Sequence, residues 1–205
     1  KDISAGDTIL LGNLTINAPT SGNVVNKGAK GTWKAKGTVT DNNPAGSPSY
    51  FTFSPQPNQS LVSPSMTATK MFATMKAGAT TPLANVLTVD PATGNFVIDF
   101  SKAGGKPVYM AGAGSYAGNV EIKSSANPST DTFLIDGNAT FTGTFPANTT
   151  IAQMNLLVNG DVSFSGSGAK GISISGGLYV TGNWNQTGMY NFKGTIMTDK
   201  VTTLA

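Results

Sequence analysis

Three ten-residue segments repeat one pattern without a gap: LIDGNATFTG (Leu134 to Gly143), LVNGDVSFSG (Leu157 to Gly166) and YVTGNWNQTG (Tyr179 to Gly188). Each reads as two apolar residues, a polar one, Gly, Asn or Asp, an apolar residue, two variable ones, Ser or Thr, and Gly. The copies lie 23 and 22 residues apart. A repeat of that length, with a turn dipeptide at a fixed place and apolar residues around it in constant register, points to a solenoid in which each copy is one rung. Rungs stack at about 4.8 Å, so equivalent residues must superpose. Gly137, Gly160 and Gly182 are expected at a corner that needs a positive φ. Asn138, Asp161 and Asn183 are expected to cap that corner and to bond to one another as a turn ladder. Ala139, Val162 and Trp184 then enter the next strand. The same dipeptide also suits β-hairpins, which is the alternative reading of this stretch.

The pattern recurs more faintly in YMAGAGSYAG (Tyr109 to Gly118) and in ILLGNLTIN (Ile9 to Asn17). The expected fold is mainly β: a parallel β-helix stem carrying an inserted small α+β module. Residues 1–19 form a first solenoid strand, 20–105 the module and 106–205 the β-helical repeats. Within the module, GTWKAKGTVT (Gly31 to Thr40) alternates, with Trp33, Ala35 and Val39 on one face. Lys34 and Lys36 lie on the other, as on a protected edge strand. A helix is expected near 63–77, capped by Ser63, with Pro64 in its first turn, Ala68, Met71, Phe72 and Met75 on one face, and Gly78 at its end. NVLTVD and NFVIDF flank Pro91-Ala92-Thr93-Gly94, a hairpin signal.

Composition narrows the chemistry. Among 205 residues there is no Cys, no His and no Arg, only 11% are charged, and Ser plus Thr number 45. Zinc or copper sites built on His and Cys, and nucleophilic catalysis by Cys or a Ser-His pair, lack their residues. No cofactor and no metal are expected. A net charge of +3 spread over scattered lysines does not make a nucleic-acid groove. Asp131, Asp136 and Asp161 are the carboxylates that neighbouring rungs could bring together, the basis of a rival reading as a polysaccharide-active β-helix enzyme. A third reading is an ice-binding solenoid. It needs a flat Thr array, and Thr140 and Thr142 begin such a row before Ser163 and Ser165, then Asn185 and Thr187, follow.

The closing run GGLYVTGNWNQTGMYNFKGTIMT (Gly176 to Thr198) resembles the Gly-Asn-rich β-helical ends of surface proteins encoded with bacterial type IV pili, the PilX-like minor pilins and related adhesins. Over residues 134–198 this resemblance implies a non-enzymatic extracellular, cell-surface protein, either a pilus-associated adhesin or a structural subunit of a filament. The pilin's apolar N-terminal helix is not in this sequence, so a trimmed chain or a non-pilin is expected. Partners would be a polysaccharide or a host or abiotic surface, and further copies of the chain. Candidate ligand-binding residues are the aromatics Trp33, Tyr50, Phe51, Phe53, Trp184 and Tyr190, whose faces suit sugar rings. Val201 to Leu204 reads as a last strand with no cap after it, and Ile3 to Leu11 as a segment free to pair with a neighbour.

Overall fold

A computed structural model describes residues 2–3, 8–10, 13–16, 25–26, 33–35, 38–42, 67–149, 151–165, 172–187 and 190–204. The chain is a parallel β-solenoid. Its stacked rungs form a seven-stranded front sheet, a nine-stranded back sheet and a short third sheet. From one end, the front sheet runs Gly114–Tyr116, Ala139–Phe141, Val162–Phe164, Trp184–Gln186, Thr202–Leu204, Leu14–Ile16 and Val39–Asp41. The main path of the back sheet runs in step: Thr81–Pro82, Val108–Ala111, Thr132–Asp136, Asn155–Val158, Ile172–Val180, Tyr190–Thr198, Thr8–Leu10 and Trp33–Ala35. Ala152–Gln153 joins it beside Ile172–Val180.

The repeat holds in register. Tyr109, Leu134, Leu157 and Tyr179 are successive Cα partners. Alternation then sets the core: Ala139, Val162 and Trp184, and Tyr116, Phe141 and Phe164, point inward and are buried. Phe141 stacks on Tyr116 at 4.9 Å and on Phe164 at 5.0 Å between ring centroids. Identical positions on neighbouring rungs thus become an aromatic column.

The corner glycines are needed for a reason other than the expected one. None of Gly137, Gly160 and Gly182 has a positive φ. A Cβ on Gly137 would lie 2.6 Å from the Gly112 carbonyl carbon, one on Gly160 2.7 Å from that of Gly137, and one on Gly182 2.5 Å from that of Gly160. The rungs touch backbone to backbone there, and only hydrogen fits between them.

The order of rungs departs from the order of the chain. Leu14–Ile16 pairs with Thr202–Leu204, and Thr8–Leu10 with Tyr190–Thr198, so the faint N-terminal copy is laid on the C-terminal rung. The edge at Leu204 expected to be free is therefore occupied by the chain's own start. Residues 33–35 and 39–41, expected in the inserted module, form the next rung on Thr8–Leu10 and Leu14–Ile16. Trp33–Ala35 is the outermost strand of the back sheet; Lys36 and the Lys34 side chain lie outside the described residues.

The opposite end is closed differently. Leu87–Val89 and Phe96–Asp99 form the expected hairpin, antiparallel, with Gly94 at φ 71° and Asp90 accepting from the Ala92 amide at 2.9 Å. Phe96–Asp99 then pairs in parallel with Val120–Lys123 as the third sheet.

The helix spans Ala68–Ala77 and is capped by Thr67, which accepts from the Lys70 amide at 3.2 Å. Ser63 and Pro64, expected at its start, lie outside the described residues. Phe72, Met71 and Met75 cover the outward apolar stripe of the back sheet, Tyr109, Leu134, Leu157 and Tyr179. The Asp199 carboxylate receives the Ala68 and Thr69 amides at 3.0 and 2.9 Å. At the other end Lys76 pairs with Asp136. Ten residues at 1.5 Å make about 15 Å, and the three rung steps from Asp136 to Asp199 make about 14 Å. The helix is matched in length to the interval between its two clamps.

Candidate functional site

The outward positions of the front sheet lie between the buried ones. In register they are Ser115, Thr140, Ser163, Asn185, Thr203, Thr15 and Thr40, one from each of the seven strands. All seven are exposed or half-buried. Every one carries a hydroxyl or a primary amide, none a charge and none a ring. Among the described residues, no side-chain hydrogen bond within the chain engages them.

Two further columns flank this row. On the side of the glycine corner stand Asn138, Asp161, Asn183, Val201, Asn13 and Thr38, all exposed. Here the expected turn ladder is present. Asn138 Oδ1 accepts from the Asp161 amide at 2.9 Å, and Asp161 Oδ1 from the Asn183 amide at 2.7 Å. Asn183 Oδ1 accepts from the Val201 amide at 3.3 Å, and Asn13 Oδ1 from the Thr38 amide at 2.8 Å. These side chains hold the rungs at constant spacing, which keeps the central row straight. On the far side stand Thr142, Ser165, Thr187 and Asn42, also exposed.

The dimensions follow from sheet geometry. Six steps of about 4.8 Å and two of about 6.7 Å outline a face of about 30 by 13 Å. That is roughly 400 Å² per partner, half the area of a standard specific interface. Such a face holds a single copy weakly and gains strength when several copies engage one surface.

The other candidates fall elsewhere. Trp184, expected to stack on a sugar, is 1% exposed and packs edge-on to Phe192 at 6.3 Å. It is a core residue, because it occupies the inward position held by Ala139 and Val162 in the preceding rungs. Trp33 and Tyr190 lie on strands of the back sheet, and their side chains lie outside the described residues. Tyr50, Phe51 and Phe53 lie wholly outside them.

The three carboxylates each have a structural partner. Asp131 is buried and accepts from the Ser125 amide at 2.9 Å. Asp136 receives Lys76, Asn159 at 2.7 Å and the Tyr109 hydroxyl at 2.9 Å, and the Lys76 contact foremost holds its carboxyl down at about 2. Asp161 belongs to the turn ladder. A general acid needs a carboxyl pushed upward, and Asp136 is moved the opposite way.

The sequence reading began the central row at Thr140 and carried it through Ser163 and Asn185. Ser115, Thr203, Thr15 and Thr40 were missed as members; for the last three, nothing local says that residue 15 stacks on residue 203. Among the described residues no helix is long and apolar enough to cross a membrane. Comparison with family models, with curated proteins and with solved structures finds no match.

Proposed function

We propose that the chain is a non-enzymatic, extracellular cell-surface protein that attaches to extended, regular surfaces through the front face of its solenoid. The row of seven hydroxyls and amides, one on each strand of the front sheet, carries this reading. A hydroxyl or amide at every rung meets a periodic ligand with the same chemistry at each step, as an insoluble polysaccharide or other ordered solid presents. The face area argues for many copies acting together, which suits a pilus-associated adhesin or filament subunit of the kind that Gly176 to Thr198 resembles. The low charge and the richness in Ser, Thr, Asn and Gly support an exposed cell-surface setting.

The test is co-sedimentation with cellulose, chitin and xylan, using Ser163→Tyr and Asn185→Tyr at the centre of the row and Ser124→Tyr on a remote exposed turn. Binding to one solid that drops about tenfold in both central variants, as for residues central to an interface, and persists in Ser124→Tyr supports the reading. Binding that ignores all three substitutions refutes the assignment of the face.

Ice is the second reading, favoured by one specific observation. The row continues across the junction into Thr203, Thr15 and Thr40, so it is longer and richer in threonine than the three rungs first visible. Its repeats, about 4.8 Å between rungs and about 6.7 Å along a strand, lie a little above and a little below the principal spacings of hexagonal ice. Partition into a growing ice front, lost in the same two variants, separates this ligand from a glycan.

A further inference from the structure

At the end of the stack that carries the hairpin, the strand edges are guarded unequally. The back sheet ends there on Thr81–Pro82, and Pro82 has no N–H to offer a further strand. One edge of the third sheet, along Val120–Lys123, is met by a side chain. Asn148 Oδ1 accepts from the Ile122 amide at 3.0 Å and its Nδ2 donates to the Ile122 carbonyl at 2.9 Å, so one carboxamide stands in for a strand. The other edge of that sheet, Leu87–Val89, has neither device. From Leu83 to Val89 no residue is charged and none is proline, the residue types that guard natural edges against pairing.

The register shows which groups this edge presents. The Asp99 amide donates to the Val86 carbonyl at 3.0 Å and the Asp90 amide to the Asn95 carbonyl at 2.9 Å. Alternation along an antiparallel pair then turns the main-chain groups of Thr88 toward Val97, and those of Leu87 and Val89 away from the hairpin. Among the described residues, no hydrogen bond takes up those outward groups. Val89 is also the most exposed large apolar side chain among the described residues, at 57%.

We propose that Leu87–Val89 is a dimerisation edge, which pairs antiparallel with the same strand of a second copy about a twofold axis at Thr88. The pattern is self-complementary, as a twofold contact requires. In this register the amide and carbonyl of Leu87 meet those of Val89 in the other copy, and the converse, so every outward group of the edge is satisfied. Each Val89 comes to lie beside the other copy's Leu87 as a cross-strand apolar pair. Asp90 falls opposite Val86 of the other copy. Its carboxylate is already turned into its own hairpin, accepting from the Ala92 amide at 2.9 Å and the Thr93 hydroxyl at 3.0 Å, so no like charges are brought together. An edge this short buries less than the about 800 Å² per partner of a standard interface, and the dimer is accordingly weak and concentration-dependent. It places two front faces in one particle, the multivalency from which a face of that size gains. The pairing stands independently of what the front face binds.

The chain has no cysteine, so Thr88→Cys can form a disulfide only between copies. In the proposed register the two residues 88 are directly opposed as a non-hydrogen-bonded pair, about 4.5 Å between Cα atoms, a separation that a disulfide accepts. Oxidation of Thr88→Cys at high protein concentration should give covalent dimer about tenfold faster than oxidation of Ala92→Cys, because association holds the thiols together. Ala92 is an exposed residue in the turn of the same hairpin. Sedimentation of the cysteine-free protein over a concentration series should show a dimer and nothing larger. Val89→Lys should weaken that dimer at least about tenfold, and Ala92→Lys should leave it unchanged. A parent protein that stays monomeric throughout, equal oxidation rates in the two cysteine variants, equal effects of the two lysine variants, or growth beyond the dimer would each overturn the proposal. Circular dichroism of each variant confirms that the fold is intact before the comparison is made.

Discussion

Removing the Asp136 carboxylate tests how the helix is held to the solenoid. Asp136 accepts from Lys76 on the helix and from Tyr109 and Asn159 on the back sheet. Together these lower its carboxyl from 3.8 to about 2. A displacement of that size corresponds to at most about 2.4 kcal/mol of linked stability. Because Lys76 is 46% exposed, water screens part of it, and about 1–2 kcal/mol is the expected share. The folded value lies below the unfolded one, so this contribution is fully present above pH 3.8 and disappears as pH falls through about 2. Asp136→Ala should therefore unfold about 1–2 kcal/mol more easily at neutral pH, a loss of several degrees in Tm for a chain of this size. The gap from the parent should narrow below pH 2, leaving the part owed to the neutral hydrogen bonds. Urea titrations of both proteins at a series of pH values measure it. Limited proteolysis after Lys70 and Lys76 reports helix release separately. A gap of constant size from pH 7 to below pH 2 would refute the assignment of the clamp to an ionised carboxylate.

Three other substitutions probe the stack. Gly160→Ala places a Cβ 2.7 Å from the Gly137 carbonyl carbon and should cost about 2–3 kcal/mol through forced separation of rungs; a calorimetric loss below about 0.5 kcal/mol contradicts the close approach. Trp184→Ala should cost about 3–5 kcal/mol as a buried truncation, whereas Trp184→Phe keeps most of the stability and all of the surface attachment; selective loss of attachment in the Phe variant would return Trp184 to the ligand-binding residues. Asp161→Asn retains the oxygen that accepts from the Asn183 amide at 2.7 Å and should leave stability within about 0.5 kcal/mol, with Asp161→Ala costing about 1 kcal/mol. Equal losses in the two would mean that charge rather than the hydrogen bond holds the ladder.

The rungs from Tyr109 to Thr198 were legible because stacking converts sequence periodicity directly into spatial register. Leu134 above Leu157 above Tyr179 is as visible in the letters as in the fold. The Asn and Asp ladder was legible for the same reason. The role of the glycines was misread, since a turn dipeptide suggests backbone freedom, whereas Gly160 is constrained by the rung beneath it. Residues 33–41 alternate like any strand, and alternation names a strand without naming its neighbours. Their place in the stack depends on the pairing of residue 15 with residue 203, a contact with no local signature. The long hydroxyl row was hidden by that same contact, as it is assembled from the two ends of the chain.

Laying the first rungs on the last also sets a timetable for synthesis. Residues 8–10 and 14–16 leave the ribosome well before the strands they pair with, which end at Leu204. Rungs from Gly114 to Gln186 can accrete one on another as they emerge, each using the edge left by its predecessor. These early strands must wait without their final partner until the strands ending at Leu204 have been made, while the growing end of the stack remains uncovered. The slow step of folding is thus expected to be a single late docking event of very high contact order, and nascent chains held short of residue 204 should have a solenoid body and an unprotected N-terminal segment.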